Sequence, residues 1–96
     1  MVEYLFNAVR AVAGQDITIA ARITDDSGTP ITDSCGLMFH GEKDLITMVG
    51  GIYYTDEQLW QFTIPADVTE GLQGRYWYCF CENGNNLCFK KPIYLV

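Results

Sequence analysis

The sequence predicts an all-β domain, an antiparallel sandwich or a small barrel. Three observations predict it. No stretch keeps a 3.6-residue apolar period over the ~10–12 residues a helix needs. Ile17, Ile19, Ala21 and Ile23 alternate with Thr18, Ala20, Arg22 and Thr24, the period of two of a half-buried strand. Clusters of Gly, Pro, Asn and Asp cut the chain into many short runs.

The elements follow in order. Residues 1–8 fit a short helix, a first strand or an N-terminal arm. Gly14-Gln15-Asp16 is a turn, and residues 16–24 are a strand. Asp25-Asp26-Ser27-Gly28-Thr29-Pro30 is a turn, because Asp and Ser side chains cap backbone groups and Gly28 supplies a positive φ. Residues 35–41 form the next strand, with Leu37 and Phe39 on one face. After a polar loop at 41–44, Leu45–Val49 is a short strand, broken by Gly50-Gly51. Residues 52–55 and 59–64 are two strands, with a hairpin turn at Asp56-Glu57. Pro65–Leu72 is a connection with room for one helical turn.

The chain closes with strand 74–82, the turn Asn83-Gly84-Asn85-Asn86 and a return strand that runs to Val96. Strand 74–82 carries Tyr76, Tyr78 and Phe80 on one face and Trp77, Cys79 and Cys81 on the other. Both faces are apolar, so this strand is central or meets a partner.

Length and composition fit one domain over residues 1–96. The chain is 49% hydrophobic and 19% charged, the balance of a packed chain with part of its surface covered by partners. Net charge is −6. The basic residues are Arg10, Arg22, Lys43, Arg75, Lys90 and Lys91, and they form no stripe. Phosphate backbones need clustered Lys and Arg, so nucleic acid is not an expected partner. Anionic membrane surfaces are disfavoured for the same reason. No window approaches the ~18–20 apolar residues of a membrane span, so membrane insertion is not expected. Residues 1–10 lack the basic and apolar regions of a signal peptide. A reducing cytosol is therefore expected, and with it free thiols at all four cysteines.

Cys79 and Cys81 share a strand face, and Cys88 lies on the return strand. A turn centred on Gly84-Asn85 sets Cys81 opposite Cys88; one centred on Asn83-Gly84 sets Cys79 there. These three with Cys35 or His40 outline a zinc site on paper, but the spacing lacks the C-x₂-C knuckle. Opposed strand pairs fit disulfide geometry poorly. The thiols read as small apolar filler. His40 is the one histidine, and a nucleophile pair would need a cysteine beside it in space. Asp25–Gly28 lacks the acidic spacing of a calcium loop. Asp56, Glu57, Asp67 and Glu70 fall in loops, where burial would not raise a carboxyl for acid–base work. No catalytic residue, cofactor or metal ligand is assigned. The candidate interaction surface is aromatic: Tyr53, Tyr54, Trp60, Trp77 and Tyr78.

Several segments carry a resemblance. They are Gly14-Gln15-Asp16-Ile17-Thr18-Ile19, Thr24-Asp25-Asp26-Ser27-Gly28-Thr29-Pro30-Ile31, Gly51-Ile52-Tyr53-Tyr54, Ile64-Pro65-Ala66-Asp67, Gly74-Arg75-Tyr76-Trp77-Tyr78 and Lys91-Pro92-Ile93-Tyr94-Leu95-Val96. Their order resembles the small immunoglobulin-like β-sandwich modules of tailed-phage virion proteins, such as the N-terminal module of baseplate upper proteins. Ile31–Gly36 departs from that pattern. The resemblance implies an antiparallel sandwich of about seven strands. It implies a non-enzymatic tail, baseplate, fibre-attachment or head-decoration protein, whose partners are other virion proteins or further copies of itself. Its place would be the host cytoplasm during assembly and then the virion. A vertebrate-type immunoglobulin domain is not expected, since those domains set a Cys two residues after a Tyr, whereas Cys79 follows Trp77 by two residues and Cys35 is the one cysteine before it. The alternatives are a glycan- or host-surface-binding module and a small cysteine-based metal-binding domain.

Overall fold

A computed structural model describes residues 2–6, 10–83, 85–88 and 90–96. The expectations for residues 7–8 and for Gly84 in the closing turn lie outside the described residues. The chain is all-β. Its strands are β1 Val2–Phe6, β2 Arg10–Ala11, β3 Ile17–Ile23, β4 Cys35–His40, β5 Leu45–Gly50, β6 Ile52–Tyr54, β7 Leu59–Ile64, β8 Gly74–Glu82, β9 Asn85–Asn86 and β10 Lys91–Leu95. One helical turn, α1 Ala66–Thr69, joins β7 to β8. Among the described residues no helix is long and apolar enough to cross a membrane.

The strands form two sheets. The first runs β1-β3-β7-β6 and the second β2-β10-β8-β4-β5, with β9 also on β8. Every pairing between these strands is antiparallel except β2 with β10, which is parallel. The N-terminal run is therefore a strand, held by β3 in the register Val2↔Ile23 and Glu3↔Arg22. An ion pair between Arg22 and Glu3 at 3.6 Å follows from that register.

One core lies between the sheets. Period-two burial puts Ile17, Ile19, Ala21 and Ile23 of β3 inside, with Trp60, Phe62 and Ile64 of β7. The facing sheet contributes Leu37, Phe39, Tyr78, Phe80, Ile93 and Leu95. The sheets meet where the Phe62 and Phe80 rings stack at 4.8 Å. Trp60 is fixed by its indole N–H, which donates to the Ile31 carbonyl at 2.6 Å.

Turn chemistry sets the connections. Ser27 and Thr29 N–H donate to Asp25 Oδ1 at 2.9 and 3.0 Å, and Gly28 adopts φ 84°. The turn before β3 and the helical turn before β8 are stitched together. Ala66 N–H donates to Asp16 Oδ1 at 2.8 Å, and Gly14 N–H donates to the buried Thr69 Oγ1 at 3.0 Å. Thr69→Val keeps the shape and removes the acceptor. It is expected to cost about 1 kcal/mol in urea unfolding.

Of the two registers open to the return strand, the observed one opposes Cys88 to Cys79 rather than to Cys81. Glu82 pairs with Asn85, Cys81 with Asn86, and the Leu87 N–H donates to the Phe80 carbonyl at 2.9 Å, while the next described ladder pair is Lys91 with Tyr78. Between them Cys88 turns its Sγ to accept the Phe80 N–H at 3.4 Å. It does not stand opposite Cys81, and among the described ladder pairs none joins it to Cys79.

Candidate functional site

The second sheet has an outer face, opposite the core. Alternation along β4 and β8 turns Gly36, Met38 and His40 outward, together with Trp77, Cys79 and Cys81. Register sets them in rows. Met48 lies opposite Met38, which lies opposite Cys79; Gly50 lies opposite Gly36, which lies opposite Cys81; and Trp77 stands between His40 and Pro92.

Two sulfur contacts cross this face. Cys79 Sγ lies 3.8 Å from His40 Nε2, and the Cys81 thiol meets Met48 Sδ at 3.8 Å. The second contact passes over Gly36, where a Cβ would sit 3.4 Å from Cys81 Sγ and 3.7 Å from Met48 Cγ. The glycine gap opens a depression of about 350 Å³ lined by Cys81, Met48, Val49, Gly50 and Asn83.

Burial keeps these groups neutral. It pushes the Cys79 and Cys81 thiols up, and raises Cys35 to about 11 with Glu82 adding to the rise. Burial also lowers His40, helped by the nearby Lys90 charge. Sequence reasoning gave His40 no thiol neighbour; the β4–β8 register supplies one in Cys79. That contact joins a neutral thiol to a neutral imidazole, so it is not an activated nucleophile. The four cysteines are free thiols. Among the described residues no three His, Cys, Asp or Glu side chains form a metal-binding group. The zinc set drawn from Cys79, Cys81 and Cys88 is therefore not assembled.

These shifts have a sign. A thiol raised in the folded state favours folding below its ordinary value of 9.0 and loses that contribution as pH climbs through the raised value. Stability is expected to fall as pH rises above about 9, and Cys35→Ala should flatten the fall seen in urea midpoints. His40 acts at the other end: lowered from 6.5, it favours folding above that pH and loses the effect as pH falls below it.

The aromatic candidates separate. Trp60 is 4% exposed and Tyr78 is fully buried, so both serve the core and neither reaches a partner. The correction has a physical cause. Each stands on the core-facing side of its strand, where their rings join Phe62 and Phe80. Tyr53 is half-buried against Trp60 at 5.3 Å. Trp77 is half-buried on the outer face of the second sheet, while Tyr54 is exposed on β6 of the first. They form no shared platform.

Exposure gathers elsewhere. Leu45, Ile46, Met48, Ile52 and Tyr54 are exposed large apolar residues within ten positions, with Met48 at 60% and Ile52 at 61%. They sit on β5 and β6, which are the outer strands of the two sheets and follow one another in the chain. Residues 45–55 contain no Asp, Glu, Lys or Arg. No proline or charge blunts these edges; a bulge beside Phe39 and His40 is the irregularity in the β4–β5 ladder. The charge-free run was a visible signal for this surface. Attention to aromatics alone passes over Leu45, Ile46, Met48 and Ile52.

No protein-family model matches the chain, and a search of curated proteins finds no similar one.

Proposed function

We propose that the chain is an immunoglobulin-like β-sandwich module of a tailed-phage particle, which catalyses no reaction and acts by docking on other protein subunits. The observation that carries the docking is the exposed, charge-free run 45–55 along two consecutive sheet edges. Edge strands present free backbone donors and acceptors, and soluble proteins ordinarily guard them with charge or proline. A net charge of −6 keeps the molecules apart elsewhere, so contact is favoured where charge is missing.

Strand order supports the immunoglobulin-like reading. β1, β3, β7 and β6 take the places of strands A, B, E and D, and β4, β8 and β10 those of C, F and G. β5 sits beside β4 where variable-type domains add C′. The virion assignment rests on the turn motifs. Two of them, Gly14-Gln15-Asp16 and Pro65-Ala66-Asp67, are bonded to each other through Asp16.

Mass spectrometry of particles purified from the strain that carries this sequence tests the proposal. The chain should be recovered with the particles at the level of a structural protein. Recovery only from the unassembled fraction would contradict the virion assignment.

A further inference from the structure

The strands at the ends of the two sheets are unequal. β2 has two residues and β6 three, and the five of β1 include Glu3. β5 has six, Leu45–Gly50, and none is charged. We propose that the occupant of this edge is β5 of a second copy of the chain, laid antiparallel across a two-fold axis at Val49. Met48 of each copy then stands opposite Gly50 of the other. This pairing rests on the docking role of the 45–55 run, and it gives that role a partner and a register.

Backbone direction sets the register. In an antiparallel ladder, residues that bond the neighbouring strand alternate with residues whose N–H and C=O point away from it. The Gly51 N–H donates to the Cys35 carbonyl at 3.0 Å, and Gly36↔Gly50, Leu37↔Val49 and Met38↔Met48 are the pairs that follow. Val49 therefore bonds toward β4; its carbonyl oxygen would lie 3.2 Å from a Cβ at Gly36. Met48 and Gly50 turn their backbone groups to the free edge. In the dimer, each Met48 and the opposing Gly50 exchange both N–H···O bonds, on either side of the axis.

Side chains fit the same register. Met48 and Gly50 lie two positions apart on the outer face, so an exposed thioether chain stands opposite a bare position. Gly50 pairs with Gly36, and Gly36 with Cys81. Two glycines in one row thus floor the depression of about 350 Å³ beside Cys81. A Cβ on Gly50 meets nothing within 4 Å. Met48 of the second copy enters above Gly50 and lies across this floor toward Gly36, and the first copy's Met48 does the same in return. Knob and hole stand on one strand, which is the self-complementarity that a two-fold contact requires. Charge favours the same contact. Each copy carries −6, so copies repel over most of their surface and close most easily along a strand without charge.

Sedimentation velocity of the wild type and its variants tests the pairing. The wild type is expected to reach a dimer and stop there, because a two-fold contact is closed. Gly50→Val places a β-branched residue in open space and fills the hole. It should raise the dimer dissociation constant at least about tenfold, with the urea midpoint of the monomer unchanged. Met48→Ala removes the knob and should weaken the dimer as well. Tyr94→Ala, exposed on β10, should leave the dimer intact. Gly50→Val that dimerises as tightly as the wild type, or a wild type that grows past the dimer, would overturn this pairing and leave the docking role standing. A wild type that stays monomeric would overturn both together.

Discussion

Gly51→Ala is expected to destabilise the domain by about 3 kcal/mol. A Cβ at this position would stand 2.5 Å from Phe62 Cε1 and 2.6 Å from Trp60 Cε3. Neither ring can yield. Trp60 is anchored through its indole to Ile31, and Phe62 is clasped between Trp60 at 6.1 Å and Phe80 at 4.8 Å. The glycine backbone is held as well, since its N–H donates to the Cys35 carbonyl at 3.0 Å. Its neighbour provides a control. A Cβ on Gly50 meets nothing within 4 Å, so Gly50→Ala should change stability by less than about 0.5 kcal/mol. Urea unfolding of both variants reads the difference.

Phe80→Ala should cost more, about 4 kcal/mol. Phe80 is fully buried, and its ring touches Tyr4, Phe62 and Tyr78 with centroids at 5.5, 4.8 and 6.2 Å. It joins both sheets, so the cavity left behind cannot close by moving one strand. A domain of this size has only about 5–15 kcal/mol in total. Thermal unfolding should show a large drop in midpoint, while Tyr94→Ala at an exposed position should show little.

Much of this fold was legible because burial follows local alternation. Ile17–Ile23 forms a strand where the period of two places it, Leu59–Ile64 is the strand expected over 59–64, and the turn at Asp25–Thr29 is held by the capping bonds its residue types predict. The limits were non-local. Nothing near Val2–Phe6 in sequence reveals that β3 will pair with it. The contact of the Cys88 Sγ with the Phe80 N–H is likewise one that composition does not encode.

The candidate surface shows the same division. Residue type marks Trp60 and Tyr78 as interface candidates, but strand parity decides which side a ring takes, and parity puts both in the core. The contact of Cys79 with His40 comes from a register 39 residues apart in sequence. Leu45–Thr55, by contrast, carries a local signal that a search for aromatics passes over: it lacks charge in a chain with 18 charged residues.

Sedimentation velocity over a range of concentrations tests most directly whether the 45–55 edges are a docking surface. The exposed edge should pair with itself when no other partner is present, so the mass of the wild type should rise with concentration. Met48→Lys with Ile52→Lys places charge on both edges at exposed positions. That variant should remain a monomer with an unchanged unfolding midpoint. A wild type that stays monomeric at every concentration, or a variant that associates equally well, would contradict the account.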